Sequence, residues 1–119
     1  MTDDHQPLNW EQTLFTIILH AGNARSKALE AAENAQERNF EAAEAALAEA
    51  ETEQTEAHKV HARIIQMEAG GEQVPFSVLL IHSMDLLLLS WAEIDHTRQM
   101  ISLCKRISDL EREAKEWRK

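Results

Sequence analysis

The stretch Pro75-Phe-Ser-Val-Leu-Leu-Ile-His-Ser-Met-Asp-Leu-Leu-Leu-Leu-Ser90 decides how the rest of the chain must fold. Read as a helix it is apolar on almost every side, and such a helix is buried by neighbours rather than wetted along one face. Inside it, His82 and Asp85 stand three residues apart and are therefore neighbours on the helix surface. A buried carboxylate is costly unless something compensates it. Sequences break local rules mainly at functional sites, so His82 and Asp85 are the first candidates for chemistry.

Working outward, Pro75 suits the first turn of a helix, where its missing N–H costs nothing. Apolar positions continue through Val78, Leu79, Ile81, Leu86, Leu89, Ile94, Met100, Ile101, Leu103, Ile107 and Leu110, then fade into Lys115-Glu116-Trp117. Around Leu86 to Leu89 this third helix is apolar on more than one face. Two partner helices of the same chain cannot cover all of that surface, so it predicts self-association, ordinarily with closed symmetry.

Upstream, Asn9 and Gln12 form a capping-box pattern that starts a helix at Trp10. Trp10, Leu14, Ile17, Ala21, Ala24, Ala28, Ala31 and Ala35 then alternate steps of four and three, which is a heptad seam. A second row, Phe15, Ile18, Arg25, Leu29 and Ala32, widens its first half. The helix is expected to end near Arg38, with Asn39 as a turn residue able to cap the next one. Phe40, Ala43, Leu47, Ala50, Gln54, Ala57, His61 and Ile64 form the second seam. The opposite face carries Glu41, Glu44, Glu49, Glu51, Glu53 and Glu56, and such a run is most often a solvated face. Ala69-Gly70-Gly71 stops this helix. The short joins predict an all-α, antiparallel three-helix bundle, spectrin-repeat-like, forming a single domain over residues 1–119. Residues 1–8 and 112–119 read as loose ends.

The composition supports this. Glycine and proline are scarce, tyrosine is absent, and alanine, glutamate and leucine dominate. A formal charge of −9 disfavours nucleic acid and anionic membrane surfaces, which reward clustered Lys and Arg. A membrane span needs about twenty predominantly apolar residues, and His82, Asp85 and Glu93 interrupt the one candidate stretch. The N-terminus is polar and acidic, unlike a signal peptide. The single Cys104 suits a reducing compartment. The expectation is a soluble, cytoplasmic chain with no direct membrane insertion.

Three features together resemble a known family: Ile17-Ile-Leu-His-Ala-Gly-Asn-Ala-Arg-Ser26, the Glu68-Ala-Gly-Gly-Glu72 turn, and Val78-Leu-Leu-Ile-His-Ser-Met-Asp85. The resemblance is to the lactose/cellobiose-specific IIA components of the bacterial phosphoenolpyruvate-dependent sugar phosphotransferase system. It covers the chain from about residue 8 to about residue 110, in order, and the third-helix motif is its most specific part.

The resemblance implies a homotrimer with the third helices clustered about the threefold axis. It implies that His82 accepts a phosphoryl group from the phosphocarrier HPr, as a tele-phosphohistidine, and passes it to a cysteine of the IIB component. The sugar, of the lactose, cellobiose or chitobiose type, is then phosphorylated during transport. It also implies that Asp85 faces the axis, where three copies hold one metal ion per trimer, typically Mg2+. Converging carboxylates repel, and either a hard cation with oxygen ligands or protonation relieves this. The family usually reads His-Ala-Gln-Asp-His; here Met84 stands at the glutamine position and Leu86 at that of the second histidine. Two polar groups expected near the phosphohistidine are thus missing, which predicts slower transfer. It also leaves a second reading, a non-catalytic trimeric scaffold or regulator derived from the family.

Neutral imidazole suits a phosphoryl relay, with an ordinary pKa near 6.5, and the protein's share of such transfer is positioning and charge stabilisation. His82 lies inside the helix, so its phosphoryl oxygens would need side-chain donors, of which Ser83 is a local candidate. A lone histidine in an apolar helix is ordinarily a hydrogen-bonded core residue, and the family pattern around His82 is what favours function. His58 and His61 have a spacing that zinc could use, but no third ligand is evident, and His61 on the seam reads as a core residue. His20 matches the family without an assigned role. His96, between Asp95 and Arg98, reads as surface, and Cys104 as a small hydrophobe.

Overall fold

In a computed structural model, which describes residues 9–118, the Asn9 side chain accepts a hydrogen bond from the Gln12 amide at 3.1 Å. Helix α1 (Trp10–Gln36) begins there, as expected. It is followed by α2 (Phe40–Ala69) and α3 (Val78–Trp117). The expectation for residues 1–8 lies outside the described residues. The α1–α2 turn places Arg38 in the left-handed region, φ 67°, and the Asn39 amide reaches back to the Asn34 carbonyl at 2.8 Å. Asn39 occupies the cap position of α2, but its side chain makes no capping bond. After α2, Gly71 takes φ +95°, a value that favours glycine, and the Glu72 amide closes on Met67 at 3.0 Å.

The third helix departs from expectation at its start. Pro75 lies outside it, and Ser77 is the cap, its hydroxyl accepting from the Leu80 amide at 3.0 Å. A side-chain acceptor satisfies an otherwise orphaned N–H, which proline at the first turn would merely have avoided. At the other end, the residues from 112, read as a loose end, are helical through Trp117. Arg38 in the α1–α2 turn pairs with Glu111, immediately before that extension.

The seams of α1 and α2 follow the heptads, with Trp10, Phe40 and His61 only half-buried, whereas Phe15, Arg25 and Leu29 of the second row on α1 are exposed. Leu14, Ile17, Ala21, Ala24, Ala28, Ala31 and Ala35 are buried, as are Ala43, Leu47, Ala50, Gln54, Ala57 and Ile64. The core has an alanine-rich half, closed by Leu47, Ile94 and Ile101, and a bulkier half built from Leu14, Ile17, Ala57, Ile64 and Leu87. Small side chains let helix axes approach closely.

On α3 the inward seam is only partly the apolar set: Ile94 and Ile101 are buried as expected, but polar residues share the seam with them. The seam is Ser83, Leu87, Ser90, Ile94, Thr97 and Ile101. Its hydroxyls are satisfied, since buried polar groups need partners: Ser83 donates to the Leu80 carbonyl at 2.8 Å and Thr97 to the Ala28 carbonyl, on α1, at 3.2 Å. Several residues that the apolar pattern singled out, among them Val78, Ile81, Leu89, Leu103 and Leu110, are exposed.

The acidic run of α2 also differs from a purely solvated face. Glu44 reaches Lys105 at 2.9 Å, Glu49 reaches Lys27 at 2.9 Å, and Glu51 reaches Arg98 at 2.5 Å. Exposed pairs of this kind are each worth about 0–1 kcal/mol, so they guide register more than they stabilise. Together with Thr97 on Ala28, they show α1 and α3 running parallel, with α2 antiparallel to both.

Candidate functional site: the outward face of the third helix

Because a helix turns about 100° per residue, the buried seam of α3 fixes where its other residues point. Asp85 lies about 200° round from Ser83, on the side away from the core, and is exposed in the single chain. The sequence reading tucked this acid among apolar neighbours. Leu87 does turn into the core, but Leu88, 61% exposed, Leu89 and Met84 face outward with Asp85. Any burial of Asp85 must therefore come from outside the chain.

His82 is also exposed. It lies about 100° from Ser83, on the flank shared by Glu93, which pairs with Arg25 of α1 at 3.6 Å, and by Met100, which meets Gln36 of α1 at 3.8 Å. His82 thus sits at the edge between the outward face and α1, about one turn inside the helix that Ser77 caps. It is not a core histidine. The Ile81 amide already bonds to the Ser77 carbonyl at 3.3 Å, so the backbone just before His82 is occupied. Ser83 does not serve as a donor beside it, because its hydroxyl is buried and committed to Leu80.

The two departures from the family motif fall on different flanks. Leu86 is four residues from His82, a neighbouring position on the helix, and is half-buried. Met84, two residues away, does not face His82. It shares the α2 flank with Trp91, whose ring centroid lies 5.2 Å from that of His58.

The remaining histidines separate from this site. Both ring nitrogens of His61 are buried without a hydrogen-bond partner among the described residues. Burial pushes its pKa below the ordinary value of 6.5, and the nearby His58 adds to the shift. His20 Nδ1 meets Glu53 Oε2 at 2.5 Å and joins α1 to α2, a contact the sequence pattern did not reveal. Cys104 packs half-buried against the alanine-rich core, as a small hydrophobe would. Among the described residues no three His, Cys, Asp or Glu side chains converge to hold a metal ion. No helix among them is long and apolar enough to cross a membrane.

Comparison with known proteins places this geometry. A sequence model described as the lactose/cellobiose-specific IIA subunit of the phosphotransferase system matches residues 12–105. The lichenan-specific phosphotransferase enzyme IIA component of Bacillus subtilis is 37% identical over 99 residues, covering 83% of this chain and 90% of that protein. The lactose-specific EIIA component of Lacticaseibacillus casei is 33% identical over 97 residues, covering 82% and 87%. The crystal structure of the cellobiose-specific enzyme IIA from Bacillus anthracis superposes with a TM-score of 0.83 at 34% identity, over 90% of this chain and 98% of that one. With its three helices, their turns and the third-helix motif all accounted for, the chain belongs to the lactose/cellobiose-specific IIA family of phosphotransferase-system components.

Proposed function

We propose that the chain is a cytoplasmic IIA phosphocarrier that takes a phosphoryl group from phospho-HPr onto Nε2 of His82 and passes it to a cysteine of a IIB component. The sugar served is of the lactose, cellobiose or chitobiose type. The observation that carries this reading is the exposure of His82 on the outer flank of α3, in a chain of this family. A partner's donor group can reach it without unfolding anything. In each exchange one bond to phosphorus forms as another breaks: a P–N bond at His82 is made, then replaced by a P–S bond on the IIB cysteine. Neutral imidazole is a nucleophile near pH 7, and what the protein adds is positioning and charge stabilisation.

The working assembly in this proposal is a homotrimer. Its support is the exposed apolar face of α3, whose burial by two further copies would be ordinary closed symmetry. Asp85 sits within that face and supplies one carboxylate per chain. Three carboxylates present oxygen donors alone, a set that fits a hard cation such as Mg2+, one per trimer. The ion's contribution would be to neutralise the three charges; the transfer itself belongs to His82.

Met84 and Leu86 favour a second reading, a trimeric scaffold or regulator that takes no phosphate. One experiment separates them. Incubated with phosphoenolpyruvate, enzyme I and HPr, the phosphocarrier gains one alkali-stable, acid-labile phosphoryl group per chain, and His82→Gln gains none. Labelling that persists in His82→Gln ends the assignment of His82, and an unlabelled wild-type chain favours the scaffold.

A further inference from the structure

The outward stripe of α3 repeats every eleven residues. Asp85, His96 and Ile107 are spaced by eleven, as are Ile81, Ala92 and Leu103, and all six are exposed. Eleven residues make just over three whole turns, so a stripe of this period runs nearly straight along one face. The same face thus holds Asp85 and, about 16 Å further along at 1.5 Å per residue, His96. Steps of four and three from Asp85, through Leu89 and Ala92, reach the same histidine. Asp95 is drawn sideways by Arg98 at 3.2 Å, which also pairs with Glu51 of α2. On the other flank, Glu93 is turned toward Arg25 of α1. Between these two claimed acids, His96 alone carries a metal-ligating side chain on the outward line.

We propose that in the trimer His96 forms a second axial ring, in which three imidazoles, one from each chain, bind a borderline divalent transition-metal ion such as Zn2+. The inference rests on the trimer of the proposed function, and the site is incomplete in any single chain. Three imidazoles with an open fourth position suit zinc, nickel or copper rather than magnesium. Asp85, with oxygen donors only, has the opposite preference. Ala92, one turn before His96, adds only a methyl group to the axis and leaves room for the rings. Gln99, close to one turn after it, offers a carboxamide oxygen that can accept an imidazole N–H and orient the ligand.

The test is a Zn2+ titration of the full chain in magnesium-containing buffer, followed by calorimetry and native mass spectrometry, with light scattering to give the oligomeric state. The expected result is one zinc per three chains, kept in Asp85→Asn and lost in both His96→Ala and His96→Gln while all remain trimers. A wild-type trimer that binds no zinc, or a His96→Ala trimer that still binds one per three chains, overturns the His96 ring and leaves the trimer standing. Binding of one zinc per chain that vanishes in His58→Ala overturns it in favour of the His58 and His61 pair. A monomer throughout overturns both the ring and the trimer.

Discussion

Ser90 on α3 donates its hydroxyl to the side-chain oxygen of Gln54 on α2, and both residues are buried. The Leu87 carbonyl accepts from the Gln54 side-chain amide at 3.4 Å and lies 2.7 Å from the Ser90 hydroxyl oxygen, whose one proton it shares with Gln54, closing a small polar loop inside the core. This loop fixes the rotation of α3 against α2. With Ser90 and Leu87 held inward, Asp85 and Leu88 must face out, and His82 must stand on the flank.

The loop can be weighed by a double-mutant cycle. Ser90→Ala leaves the Gln54 oxygen buried without its partner and should cost about 1–3 kcal/mol. Gln54→Leu removes that acceptor, so adding Ser90→Ala to it should cost much less. Urea denaturation of the two single variants and the double variant measures this coupling, and additive losses would argue against the loop as a unit.

His61 predicts a pH dependence. Its folded-state pKa is lowered, chiefly by burial, so the folded chain binds a proton there less readily than the unfolded chain. Stability therefore falls as pH drops through the ordinary value of 6.5 and continues to fall until the folded-state pKa is passed. His61→Leu removes the titrating ring and two unsatisfied buried nitrogens. At pH 8 it should stabilise the chain by about 1 kcal/mol, and its advantage should grow at pH 5.5. Thermal melts of both proteins across this range provide the check, and a constant gap would count against the assignment.

Leu86 adjoins His82 on the helix, whereas Met84 faces the other flank. Leu86→His should therefore speed phosphoryl transfer from phospho-HPr about tenfold or more, within the range that a positioned acid or base supplies. Met84→Gln alone should change the rate less. Single-turnover transfer rates for the two variants test the order, which fails if Met84→Gln has the larger effect.

Asp85 is exposed in the single chain, so Asp85→Leu should leave the helical fold and its melting intact to within about 0.5 kcal/mol at low concentration. In the proposed trimer the same change removes three repelling carboxylates and their ion. Magnesium content by elemental analysis should fall to background while light scattering still reports a trimer. Unchanged magnesium would dismiss the axial carboxylate site.

Much of the fold could be read from residue spacing alone. The seams of α1 and α2, the Asn9 cap and the Gly70-Gly71 stop were legible because each depends on neighbours in the chain and on a 3.6-residue period. The family, too, was legible in the third-helix motif. Apolar periodicity caught Ile94 and Ile101 on α3 but missed the rest of its inward face, which uses Ser83, Ser90 and Thr97, whose hydroxyls are satisfied by carbonyls or a carboxamide close by once the helices are packed. Similarly, Glu44, Glu49 and Glu51 of α2 are exposed, as read, but that Lys105, Lys27 and Arg98 of the other helices stand beside them came only with packing.

His82 and Asp85 were singled out by sequence as chemistry in an oily helix, and that much required no coordinates. Which way they point did require them. Facing is set by which side of α3 packs inward, and that choice belongs to hydrogen bonds between residues more than thirty positions apart, such as Ser90 with Gln54 and Thr97 with Ala28. Local sequence determines the helix and its chemistry; only the packing of three helices settles its rotation, because rotation costs nothing until a neighbour is present.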